Sequence, residues 1–232
     1  MNLEDQPIVI AKRAAGIAAA QFVQNYMLVG LGTGSTASYF IEALGNRCRE
    51  EGLKIKTVAT SIQSMQHATK LNIPLIDDQS ISSLDLTIDG ADEIDLNKNM
   101  IKGGGGALLR EKLLATSSRE MIVVVDENKV VDSLGSFPVP VEISSFAYQT
   151  TILRLKNKGY SGKIRLNRDH TIFITDNDNY IFDIQFDGAI KNPENEHDKL
   201  RQITGVLETG LFYKVATKII VGYQNGLTKI LK

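Results

Sequence analysis

The sequence has little of what several classes of function require. A single cysteine, Cys48, among 232 residues leaves no internal disulfide and points to a reducing compartment. It lies in a predicted helix between Arg47 and Arg49, with no histidine near it in sequence, and reads as structural or incidental. The three histidines, His67, His170 and His197, are scattered. They show neither metal-ligand spacing nor a partnered nucleophile, so no metal is expected. A net charge of −1 offers no basic surface for nucleic acid or an anionic membrane. No apolar run is long enough to span a bilayer. Residues Met1–Asp5 are acidic and polar rather than charged and then apolar. The expectation is a soluble cytoplasmic protein. The chain has no internal repeat or low-complexity segment, and its length permits one large or two small domains around a sizeable core.

What the sequence does have is concentrated between Asp89 and Lys112. The run Leu84–Ile88 is apolar and reads as a buried strand. It ends in Asp89-Gly90-Ala91-Asp92-Glu93-Ile94-Asp95, delivering carboxylates to a sheet edge, where open α/β sheets place their ligands. After a spacer come Lys102 and four consecutive glycines, Gly103–Gly106. Each would cost a helix about 1 kcal/mol against alanine, so their use lies elsewhere, in close backbone approach and N–H groups aimed at an oxyanion. Ala107–Thr116 then reads as a helix carrying Glu111. The plain alternative is a turn, a linker and a solvated helix face. A calcium loop starting at Asp95 fails, because its sixth position is Met100 and its twelfth is Gly106.

A second motif precedes this one. Ile8–Tyr26 is alanine-rich with helical spacing and carries Lys12. Met27–Leu31 reads as a strand, Gly32-Thr33-Gly34-Ser35-Thr36-Ala37 as a loop, and Thr36–Cys48 as a helix. Strand, Gly/Thr/Ser loop and helix make an anion site, since a helix start exposes unpaired N–H groups and partial positive charge. The hydroxyls of Thr33, Ser35 and Thr36 add donors. The lysine of a nucleotide-triphosphate loop is missing. The loose dinucleotide fingerprint lacks its acid, because the next strand, Ile55–Ala59, ends in Thr60-Ser61. A phosphate or sugar hydroxyl fits better, and no cofactor is expected.

Further on, Ser64–Leu71 reads as a short helix and Met121–Val125 as a buried strand after which Lys129 emerges. The proline-marked segment Phe137–Val141 is a candidate domain boundary. Beyond it, a helix over 146–158, strands over 162–166, 171–175 and 180–186, and a polar helix over 192–203 suggest a small α+β unit. Strands over 219–222 and 228–231 return to the first domain. The fold class expected is α/β, a Rossmann-like open sheet of residues 1–136 and 207–232, with residues 137–206 as a smaller inserted α+β domain.

Asp-Gly-Ala-Asp-Glu-Ile, then Ile-Lys-Gly-Gly-Gly-Gly-Ala and Arg-Glu-Lys, closely resembles the type A ribose-5-phosphate isomerases. The resemblance extends to residues 32–37 and 205–212 and so covers nearly the whole chain. It implies interconversion of D-ribose 5-phosphate and D-ribulose 5-phosphate through an enediolate, in the non-oxidative pentose phosphate pathway. It also implies that the protein is a homodimer or homotetramer. On this resemblance Glu111 is the base. Lys102 and the N–H groups of Gly103, Gly104 and Gly105 face the oxyanion. Asp89 and Asp92, with Gly90 and Ala91 between them, hold substrate hydroxyls and assist ring opening or proton exchange. Thr33, Gly34, Ser35 and Thr36, with Lys129 and Lys12, hold substrate and phosphate. The residues alone do not choose Glu111 over Asp89 or Asp92 as base. One departure stands at Tyr213–Lys218, where the family commonly has an acid. The competing readings are a sugar-phosphate isomerase–deaminase or acyl-CoA transferase, against which the Asp89–Gly106 motif argues, and a sugar-phosphate sensor of a transcription regulator. The sensor would need a helix-turn-helix, and only one helix precedes the first strand.

Overall fold

The computed structural model describes residues 6–231. The chain divides into two compact units and passes between them at 91/92, 109/110, 130/131 and 214/215. The first comprises Met1–Ala91, Arg110–Val130 and Val215–Lys232, and the second Asp92–Leu109 and Val131–Lys214. Residues 92–109, 131–136 and 207–214 thus fall in the second unit, beyond the span 137–206 that composition suggested.

In chain order the first unit contains α1 (Pro7–Ala20), β1 (Leu28–Leu31), α2 (Ser35–Glu50), β2 (Lys56–Ala59), α3 (Ile62–Lys70) and β3 (Leu84–Asp89). The second unit then contributes β4 (Glu93–Ile94) and β5 (Met100–Ile101). Helix α4 (Leu108–Thr116) leads back to β6 (Ser118–Asp126) of the first unit. The second unit continues with β7 (Val139–Ile143), α5 (Tyr148–Asn157), β8 (Ser161–Ile164), β9 (Tyr180–Gln185), α6 (Pro193–Arg201), β10 (Val206–Thr209) and β11 (Leu211–Phe212). Strands β12 (Lys218–Gly222) and β13 (Thr228–Leu231) complete the first.

The first unit is a six-stranded sheet in the order β13-β12-β6-β3-β1-β2, parallel except for the edge strand β13. Its parallel strands are mostly apolar along their buried stretches, as strands covered on both faces are. Met121–Asp126 of β6 is buried throughout. Counted among the parallel strands alone, the order is 2-1-3-4-5, which reverses between β1 and β3. In such sheets ligands bind outside the carboxyl ends of the strands at the reversal. Helix α1 packs closely on its neighbours because its inner face is Ala11, Ala15, Gly16 and Ala19. A Cβ on Gly16 would lie 2.6 Å from the backbone N of Phe40.

The second unit has a four-stranded antiparallel sheet, β10-β7-β9-β8, and a three-stranded one, β11-β5-β4. Its core includes Ile101, Val139, Val141, Ile143, Phe182 and Leu211. Helix α6 is well specified locally: Asn192 caps it, Pro193 opens it, Glu194 and Glu196 lie in its first turn and Lys199 and Arg201 in its last.

Two elements differ from the sequence expectation. Helix α1 stops at Ala20 rather than Tyr26, because Arg47 of α2 donates to the carbonyls of Ala20 and Val23 at 2.5 and 2.8 Å and caps the helix there. Residues 171–175 form no strand. They make one bridge, Leu166–Ile172, and then turn back at Thr175, whose N–H donates to the carbonyl of Asn179 at 2.9 Å. Side-chain bonds close that turn: Thr175 and Asn179 donate to Oε1 of the buried Glu142 at 3.0 and 2.9 Å. Among the described residues, no helix is long and apolar enough to cross a membrane.

Candidate active site

At the reversal of the first unit's sheet, the loop after β1 meets the end of β3. Asp89 is fully buried. Its Oδ1 accepts from the N–H groups of Thr33 at 3.0 Å and Gly90 at 2.7 Å. Gly32 makes this approach possible, since a Cβ there would lie 2.3 Å from Asp89 Oδ1 and 2.5 Å from its Cα. Gly32→Ala is therefore expected to push the end of β3 out of place and destabilise the protein by about 1–3 kcal/mol. It should also lower turnover. Denaturant unfolding and steady-state kinetics check this, and a variant with the stability and kcat of the parent contradicts the packing argument.

The four residues of the first loop behave differently from one another. Thr33 is buried and its hydroxyl is engaged internally, 2.7 Å from Thr60 Oγ1 and 2.8 Å from Ser61 Oγ. Ser64 Oγ extends this network to the carbonyl of Gly32 at 2.7 Å. Thr60, Ser61 and Ser64 thus brace the loop, a role their distance from it in sequence concealed. Thr36 is also buried, whereas Gly34 and Ser35 are exposed. Gly34 caps the 16-residue helix α2 without a side-chain hydrogen bond. The first N–H groups of that helix have no capping side chain, the arrangement that favours an anion.

The carboxyl-rich segment divides by role. Asp92 is half-buried and accepts from the Gly104 N–H at 2.7 Å. Glu93 is buried and accepts from the N–H groups of Gly135 and Phe137 at 2.8 and 2.6 Å, so it fastens a loop. Asp95 closes its own turn by accepting from Asn99 N and Nδ2 at 2.8 and 2.9 Å, which accounts for the calcium-like spacing. Lys102 is 1% exposed, with its Nζ 5.6 Å from the centre of the Phe212 ring. A cation so placed is attracted by the electron-rich face of the ring.

The glycine run after Lys102 is a turn, closed by the Gly106 N–H donating to the Gly103 carbonyl at 3.0 Å. Gly103 and Gly106 have φ of +95° and +85°, which a side chain resists. Gly104 and Gly105 are exposed, and a Cβ on Gly104 would lie 2.5 Å from Asp92 Oδ1. Glu111 is buried in the first turn of α4. Lys12 is half-buried on α1. Lys129 is half-buried at the end of a 3-10 turn after β6, whose start is capped by Asp126 Oδ1 accepting from Asn128 N at 3.1 Å.

The sequence profile described as Ribose 5-phosphate isomerase A (phosphoriboisomerase A) matches residues 56–226. "Ribose-5-phosphate isomerase A" of Protochlamydia amoebophila is 57% identical over 227 residues, 98% of this chain and 97% of that one. The chain belongs to the ribose 5-phosphate isomerase A family. Solved structures agree. Ribose 5-phosphate isomerase A from Methanocaldococcus jannaschii superposes with a TM-score of 0.89 at 38% identity, covering 95% of this chain and 97% of that one. A D-ribose-5-phosphate isomerase in complex with phospho-erythronic acid gives 0.90 at 37%, with the same coverages.

Against this family background the residues first singled out sort clearly. Thr33, Gly34, Ser35, Thr36, Asp89, Gly90, Ala91, Glu111, Lys12 and Lys129 are in the first unit, and Asp92, Lys102, Gly103, Gly104 and Gly105 in the second. Cys48 is half-buried on α2, and burial pushes its thiol up, which suits a structural residue. Among the described residues, no group of three or more His, Cys, Asp and Glu side chains is arranged to hold a metal ion.

Proposed function

We propose that the protein interconverts D-ribose 5-phosphate and D-ribulose 5-phosphate by proton transfer through an enediolate, as a cytoplasmic homo-oligomer, dimer or tetramer. The observation that carries this reading is family membership along nearly the whole chain at 57% identity, with the Asp89–Lys112 motif complete. The bound molecule of one structural neighbour, phospho-erythronic acid, supports it. A phosphorylated aldonic acid carries a planar, charged carboxylate where the substrate would carry its enediolate.

In this reading Glu111 removes the proton from C2 of the open-chain aldose. The C–H electrons form the C1–C2 double bond, and negative charge collects on the former carbonyl oxygen. Lys102 and the N–H groups of Gly103 and Gly105 stabilise that charge, while the Gly104 N–H holds Asp92. Asp89 and Asp92 hold the sugar hydroxyls, assist ring opening and pass the proton between the two oxygens. Return of the carbon-bound proton from Glu111 to C1 gives the ketose. Gly34, Ser35 and Thr36, in a loop braced from within by Thr33, together with Lys129 and Lys12, hold substrate and phosphate, whose binding energy orients the reacting carbons. Every step is supplied by side chains and backbone.

The test is conversion of ribose 5-phosphate to ribulose 5-phosphate by the purified protein with a chelator present. Conversion at an undiminished rate is expected. No conversion overturns the reading, and complete, reversible loss on chelation overturns the metal-free chemistry.

A further inference from the structure

The glycine turn is held from behind by a residue 61 or 62 positions away in sequence. Arg165 Nη1 donates to the carbonyls of Gly103 at 2.9 Å and Gly104 at 3.1 Å. The guanidinium is itself fixed. Its Nε donates to Asp183 Oδ2 at 2.9 Å, and Nη2 pairs with Oδ1, a two-point contact with a carboxylate on β9. Both side chains are largely buried, 14% and 24% exposed. Phe173 adds to the backing, since a Cβ on Gly106 would lie 2.5 Å from its ring and the ring centre is 5.8 Å from Arg165 Cζ.

We infer that Arg165, oriented by Asp183, is a positioning residue that sets the direction of the glycine-turn N–H groups for catalysis. The argument is geometric. In a trans peptide the C=O and N–H point in opposite directions. Holding the Gly103 and Gly104 carbonyls on one side therefore aims the N–H groups of Gly104 and Gly105 to the other. The Gly104 N–H meets Asp92 Oδ2 at 2.7 Å there. Glycine gives this turn no side chain to restrain it, so the outside clamp replaces the stiffness the sequence gave up. The fork is needed because one planar group must reach two carbonyls and a carboxylate together, which an ammonium on a flexible stem does not match.

The inference rests on the reading that the Gly105 N–H answers the enediolate charge while the Gly104 N–H fixes Asp92, and its test separates the two. Arg165→Met keeps the stem and removes the donors, while Arg165→Lys keeps the charge and removes the fork. Both should lower kcat on ribose 5-phosphate by about 10²-fold, the usual effect of a misplacement near 1 Å, with KM little changed. Amide hydrogen exchange should rise over residues 102–106 and stay at parent levels over 139–143 and 180–185. Parent kcat with unchanged exchange overturns the inference. So does full recovery with lysine, which would leave only a charge effect, or protection lost evenly across the second unit, which would make Arg165 a general stabiliser. If the parent protein does not turn over ribose 5-phosphate, the functional reading fails. The exchange measurement alone then decides whether Arg165 holds the turn.

Discussion

Glu111→Gln is expected to fold, bind ribose 5-phosphate and lose nearly all turnover. Glu111 is 4% exposed in the first turn of α4, so a change of shape there would disturb packing. The amide is nearly isosteric and avoids that. What it cannot do is accept a proton from carbon. General base catalysis contributes about 10²–10⁴-fold, and that factor should vanish from kcat. Binding should survive, since the proposed mechanism gives the hydroxyl and phosphate contacts to other residues. Steady-state kinetics with a separate binding measurement gives the answer. If Glu111→Gln keeps parent turnover while Asp89→Asn or Asp92→Asn loses proton exchange, the base is that aspartate.

Lys102→Ala should lower turnover far more than affinity. In the proposed mechanism the charge this side chain answers exists mainly in the enediolate, so the loss belongs to the transition state. Removing a comparable oxyanion donor costs about 10²–10³ in rate. The side chain is buried with its Nζ over Phe212, so alanine also opens a cavity. Lys102→Met fills that space without the charge and separates packing from electrostatics. Both variants should show the same fall in kcat. A methionine variant that loses only affinity reassigns Lys102 to substrate holding.

The fold was legible where local signals and burial agree. Apolar β3 and β6, the Gly/Thr/Ser loop ahead of α2 and the capped, charge-graded α6 all follow from periodicity and end chemistry. The two-residue strands β4, β5 and β11 were not legible, because so short a run carries no period and is held by its partners: Glu93 opposite Ile101, and Leu211 opposite Ile101 on the other side. Residues 171–175 have strand-like composition but are turned back by Glu142, which is more than 25 positions away and invisible to any local pattern.

The site was legible in part for a similar reason. Asp89, Lys102 and Glu111 lie within one motif whose residue types mark it as a candidate site, but those types alone do not divide the roles among them. The motif also offered Glu93 and Asp95 as carboxylates, and only their hydrogen bonds show that both are committed to loops. Thr33 was legible as a hydroxyl but not as one turned inward to Thr60 and Ser61. Arg165 could not be found at all, since nothing near Asn167 and Arg168 marks it as the residue that grips Gly103 and Gly104.

The most direct measurement of the central claim is isotope exchange. Ribose 5-phosphate is incubated with the protein in heavy water until aldose and ketose reach equilibrium, and both are recovered. Proton transfer through an enediolate predicts deuterium on C1 of ribulose 5-phosphate and on C2 of the recovered ribose 5-phosphate. The same incubation with Glu111→Gln should leave both positions unlabelled. Full conversion by both the parent protein and Glu111→Gln with no deuterium on either carbon after many turnovers would mean that the hydrogen moves without passing through this base, as in direct hydride transfer, and would contradict the account.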